Sequence, residues 1–145
     1  MELLKTYLDA GLLGLLGFMS FLTLAFTVER YLYFARVDLG SFRRVEDLEI
    51  ALTRHLTVIA TVGANAPYVG LLGTVLGILI TFHDMGQGGA IDTSTIMVGL
   101  ALALKATALG LLVAMPSIVF YNALLRRVDV LKARWGHPAS AEVRP

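Results

Sequence analysis

Gly63-Ala64-Asn65-Ala66-Pro67-Tyr68-Val69-Gly70-Leu71-Leu72-Gly73-Thr74-Val75-Leu76-Gly77-Ile78-Leu79-Ile80-Thr81-Phe82 contains no charged residue. A helix that crosses a bilayer needs about 20 mostly apolar residues, so this run is long enough to do so. Small residues recur at every fourth place along two adjoining rows, Ala66-Gly70-Thr74 and Gly73-Gly77-Thr81. Lipid tails supply no hydrophobic drive for helix association, and close backbone approach at such rows takes its place. Two rows on one helix predict a span packed against partners over a broad face.

The rest of the chain supports a membrane class. Of 145 residues, 57% are apolar and 16% charged, and the apolar ones stand in long blocks rather than at periodic spacing. The net charge of +1 suggests no nucleic-acid partner. Cysteine is absent, which excludes disulfides, thiolate metal sites and cysteine nucleophiles together.

A first charge-free run extends from Ala10 to Val28. The segment before it carries Glu2, Lys5 and Asp9 and no small-residue cleavage pattern follows, so it reads as a retained span rather than a leader. Gly11, Gly14 and Gly17 form either a packing stripe or the ordinary glycine content of a membrane helix. Glu29-Arg30 is expected to end this helix. Asp38-Leu39-Gly40-Ser41 marks a break, after which Val45, Leu48, Leu52, Leu56 and Ile59 follow helical spacing. One unusually long helix is therefore expected from near Ser41 into the second span. Arg43 and Asp47 are i,i+4 neighbours on its solvated face. The run His83–Ala90 is a glycine-rich connector without the lysine of a phosphate loop. A third run, from Ser94 to Leu125, is interrupted once by Lys105 and ended by Arg126-Arg127. Pro67 and Pro116 each remove an intrahelical hydrogen bond, freeing the carbonyls of Gly63 and Leu112.

These runs predict an all-α membrane protein. The first helix lies in 1–30, a connector and helix start in 31–56, and the second span in 57–83. A turn occupies 84–93, the third span 94–125 and a tail 126–145. The second and third helices extend beyond the bilayer into the cytoplasm. Five arginines between residues 29 and 55, and five basic residues after 125, put those segments inside and the N-terminus outside.

No catalytic constellation stands out. His55, His83 and His137 lie in separate segments without acidic residues at ligand spacing, and no metal or cofactor site is expected. None of the three runs carries aspartate or glutamate, although proton-relaying membrane proteins use such residues inside the bilayer. The hydroxyls available are Thr74 and Thr107, and a lone membrane threonine most often bonds its own helix backbone at i−4.

Ala66-Pro67-Tyr68-Val69-Gly70-Leu71-Leu72-Gly73-Thr74-Val75-Leu76-Gly77-Ile78 resembles the second-span signature of the ExbB/TolQ family. Ala106-Thr107-Ala108-Leu109-Gly110-Leu111-Leu112-Val113-Ala114-Met115-Pro116, followed by Tyr121-Asn122, resembles its third-span signature, and Glu29-Arg30 the end of its first span. The resemblance implies an inner-membrane energiser driven by the proton-motive force. It implies a homopentameric ring of three-span subunits around the single span of a smaller partner, ExbD or TolR, that works on TonB or TolA. The partner's aspartate would carry the proton, and Thr74 and Thr107 would line the pore beside it. Pro67, Gly70, Gly73, Gly77, Gly110 and Pro116 would serve packing and kinks. MotA of the flagellar motor is a more distant relative by the same logic.

Two departures stand out. The cytoplasmic connector is short for the family, and Leu102 stands where a glutamate is common. Lys105 is one turn further on and about 160° around the helix from Thr107. At mid-membrane it needs a carbonyl, an acidic partner or water, expected from another chain at a subunit–subunit or ring–partner contact. The competing classes are a self-contained small-solute or ion transporter, with Lys105 its only charged group within a span, and a purely structural membrane protein.

Overall fold

The computed structural model describes residues 2–88 and 92–136. The described chain is helix and turn: α1 Glu2–Arg36, a 3₁₀ turn Leu39–Ser41, α2 Val45–Thr53, α3 Leu56–Gly86 and α4 Thr93–Gly136. α1, α3 and α4 are each long and apolar enough to cross a membrane. The 44 residues of α4 extend about 66 Å at 1.5 Å each, roughly twice the hydrocarbon thickness of a bilayer. Residues 89–91 of the glycine-rich connector, and the tail from His137 onward, lie outside the described residues.

Two expected boundaries and one side-chain pairing are corrected. α1 does not end at Glu29-Arg30 but continues to Arg36, because charged side chains end an apolar run without breaking backbone hydrogen bonds. The break at 38–41 is present, with the Asp38 carboxylate accepting from the Gly40 amide at 2.9 Å. The long helix expected from Ser41 is instead two helices, separated where His55 takes a left-handed backbone with φ of 67°. Arg43 precedes α2, so its pairing with Asp47 is replaced by Arg44 Nε to Glu46 at 3.3 Å.

The spacing that suggested one helix is real, since Leu48, Leu52, Leu56 and Ile59 are all buried. They join Phe34 of α1 and Leu124 and Val128 of α4 in the largest cluster of bulky apolar side chains. The turn at His55 lets α2 lie against α4, and tertiary contacts support it. The imidazole stacks on Phe26 at 4.6 Å between ring centroids, and its Nδ1 is 3.4 Å from Glu29 Oε2. Arg30, 3% exposed, donates from Nη1 to the Ala51 carbonyl at 2.9 Å. Ala51 is in the last turn of α2, where carbonyls lack intrahelical partners, so a side chain of α1 caps α2.

Farther along the spans the seam is built from small residues. A Cβ on Gly70 would sit 2.7 Å from the Ala106 carbonyl oxygen, and one on Gly110 would sit 2.6 Å from that of Ala66. Backbone therefore meets backbone, as small-residue rows permit. Gly77 faces Ala103 of α4, and Gly73 faces Leu12 of α1 together with Ala106 of α4. Both rows of the opening stretch are thus filled within one subunit, and they do not by themselves demand neighbouring chains. A methyl group added at Gly11, Gly14 or Gly17 would meet nothing within 4 Å among the described residues, so none of the three is a site of close helix approach. The inward face of α1 is marked instead by Leu16, Thr23 and Arg30, buried at seven-residue spacing as in a coiled-coil seam.

Candidate functional site

Thr74 of α3 and Thr107 of α4 meet across this small-residue seam, their hydroxyl oxygens 2.6 Å apart. Gly70 and Gly110, one turn away on the two helices, bring the backbones close enough for such short side chains to touch. Thr74 Oγ1 is 2.9 Å from the Ala103 carbonyl of α4 and 3.4 Å from the Gly70 carbonyl of its own helix. The bond across the seam is the shorter, so Thr74 departs from the common i−4 habit. A threonine has one hydroxyl proton, and Thr74 places it on Ala103. The 2.6 Å bond must then be donated by Thr107. This leaves both lone pairs of the half-buried Thr107 oxygen open to a donor from outside, while Thr74, 8% exposed, sits behind it.

Lys105 points elsewhere, as its angular offset from Thr107 requires. It lines a cavity of about 60 Å³ between α1 and α4, with Asp9, Leu12, Leu13, Leu102, Ala106 and Leu109. Lys105 was expected to find its partner on another chain; Asp9 of the same chain lines this cavity, though the two are not among the ion pairs closed by the described residues. Asp9 lies just beyond the end of the charge-free run in sequence, but α1 is already helical there and packs alongside α4. Gly70, Gly73, Gly77 and Gly110 are seam residues, as described. Pro67 and Pro116 lie inside continuous helices, the first half-buried and the second exposed.

A second hydroxyl pair was not anticipated from the sequence. Thr23 of α1 and Ser117 of α4, both buried, are 3.1 Å apart, and Ser117 Oγ donates to the Val113 carbonyl at 2.7 Å. Thr23 stands with Ser20 and Thr27 in one apolar run and Ser117 in another, and nothing in that pattern singles out the pair. Among the described residues no cluster of side chains suited to a metal ion is found.

Residues 41–137, about two thirds of the sequence, match the MotA/TolQ/ExbB proton channel family. The chain belongs to that family. Family membership and three apolar helices make it a membrane protein of the transport class. Biopolymer transport protein ExbB of Aquifex aeolicus is 56% identical over 135 residues, covering 93% of this chain and 91% of that protein. Biopolymer transport protein ExbB of Helicobacter pylori is 51% identical over 135 residues, covering 93% of each. The Tol-Pal system protein TolQ of Pseudomonas aeruginosa is 40% identical over 87 residues, 60% of this chain and 38% of its own length. The short connector is therefore a feature shared with family members of similar size. Thr74, Thr107 and Lys105 all fall within the matched region.

Proposed function

We propose that the chain is the ring subunit of an inner-membrane energiser, coupling proton flow to transport across the outer membrane with ExbD and TonB as partners. The observation that carries this is the threonine pair. Thr107 offers an acceptor lone pair at membrane depth, backed by Thr74 and the Ala103 carbonyl. A protonated carboxyl on a partner span can donate to it, which satisfies the neutral acid away from water. When the acid ionises it needs a donor, and a hydroxyl can rotate to become one. Thr107 can serve both states by exchanging its bond to Thr74 for one to the carboxylate.

In this reading five subunits surround the partner span, with the N-terminus periplasmic and the connector and C-terminus cytoplasmic. α3 and α4 extend past the bilayer on the cytoplasmic side, and lipid covers the outer apolar faces. The exposed Gly11-Gly14-Gly17 face of α1 is available to a neighbouring subunit. The near full-length match to proteins named ExbB favours a TonB system over a TolQ-like role in a Tol-Pal system.

The test is uptake driven by the reconstituted complex. Thr107→Val and Thr74→Val keep the side-chain shape and lose the hydroxyl. Both are expected to impair energised uptake while the ring still assembles, and full uptake in both variants would refute the role.

A further inference from the structure

Lys105 and Asp9 share the cavity between α1 and α4, and every other side chain lining it is apolar. Asp9 also lines a second, smaller cavity against α3, with Leu12, Gly73 and Gly77, so it stands where the three helices come together. Asp9 is exposed, as is Lys105, but its place on α1 continues the inward row. Leu16, Thr23 and Arg30 are the buried row, and one further step of seven toward the N-terminus is Asp9. One turn inward, Leu12 packs on Gly73, which also faces Ala106. Ala106 is the neighbour of Thr107 in sequence, so the charged cavity backs onto the threonine site through α4.

We propose that Asp9 is the counter-ion of Lys105, and that the two close an ion pair across the α1–α4 seam that fixes the ammonium on the face of α4 opposite the threonine site. A lone charge in lipid is costly, and attraction between opposite charges strengthens as the surrounding dielectric falls. The two are not among the ion pairs closed in the structure, so the pair requires the lysine to rotate its flexible four-carbon stem toward Asp9. The cavity has room for a few waters to complete the hydrogen bonding of both groups. Among the described residues no other polar side chain lines this cavity. Asp9 acts through Lys105, as a positioning residue. That role rests on the function proposed above, whereas the existence of the pair does not.

Three measurements on the full chain test this. In mild detergent, Asp9→Asn and Lys105→Met each lower the melting temperature by about 4–8 °C, because one charge at membrane depth is left alone. The double variant Asp9→Asn/Lys105→Met regains more than half of the summed loss. Losses that simply add would overturn the pair. The sequence has no cysteine, so Asp9→Cys/Lys105→Cys introduces the only two thiols. A short bis-maleimide joins them within one chain, detected by mass spectrometry after proteolysis. Linkage exclusively between chains would overturn the intrasubunit assignment. In uptake assays with the one-span partner, Asp9→Lys and Lys105→Asp each reduce energised uptake more than about tenfold, the reversed pair Asp9→Lys/Lys105→Asp restores it to within about threefold, and Asp9→Glu keeps it. Thermal coupling with normal uptake in all these variants would overturn the positioning role. A failure of the energiser reading itself shows as no driven uptake by the unaltered chain.

Discussion

Thr74 and Thr107 are one residue type at matched places in two signatures, yet they do different work. Thr74 spends its proton on Ala103 and is enclosed, while Thr107 is half open. Thr74→Val is therefore expected to destabilise the subunit by about 0.6–1.7 kcal/mol, the range for hydrogen bonds between membrane helices, measured by unfolding in detergent. Thr107→Val loses only the bond to Thr74, so it should cost less stability than Thr74→Val and fall mainly on activity, and Thr107→Ser should restore it. Arg30 is the other decisive single residue. It is buried, bonded to the Ala51 carbonyl and to Glu29, and its guanidinium lies 4.4 Å from the centre of the Tyr33 ring. Arg30→Met keeps the length but leaves Ala51 without its donor, and should cost about 1–3 kcal/mol. Hydrogen exchange in α2 should rise first, since that is the helix Arg30 caps. The pairing of hydroxyl residues was legible in the sequence only as two threonines in two apolar runs. Which carbonyl each would choose depends on how far the backbones approach, and no local pattern states that distance.

At the scale of elements, the three spans and the 38–41 break were legible because lipid and turn chemistry act locally. A charge-free run of sufficient length and an Asp-x-Gly-Ser cluster each carry their own reason. The separation of α2 from α3 was not legible. His55 is an unremarkable residue in a continuous apolar rhythm, and its left-handed turn is held by Phe26, Glu29 and Arg30 of a distant helix. Tertiary contact overrode helical propensity there. Asp9 was missed for a related reason, since charge-free runs mark where lipid begins and not where helices begin to pack. The glycines give a sharp element-level expectation. Gly70→Ala puts a methyl 2.7 Å from a carbonyl oxygen on a helix backbone that cannot yield, and should destabilise the α3–α4 pair by about 1–3 kcal/mol. Gly14→Ala meets nothing within 4 Å inside the subunit and should leave its stability unchanged. Melting of both variants in the same detergent checks the contrast. Gly73→Leu should now damage packing inside the subunit, where Leu12 and Ala106 sit, before it affects assembly.

At the scale of the whole molecule, the expected assembly is a closed ring, and native mass measurement or cross-linking in mild detergent should find a cyclic oligomer. A stable monomer would count against it. The far end of α4 is also tied to the connector. Lys132 pairs with Glu49 at 2.8 Å, and Trp135 Nε1 donates to the Phe42 carbonyl at 3.2 Å. The α3–α4 seam has a mechanical consequence. Where carbonyl oxygens already stand against glycine backbones there is no slack for one helix to slide on the other. The two helices should move as a single stiff strut, and any displacement in a working ring must be taken up between struts or at the softer α1 contacts. A force applied at the threonine site would then arrive undiminished at the other end of α4, with the subunit acting as a lever arm rather than a spring.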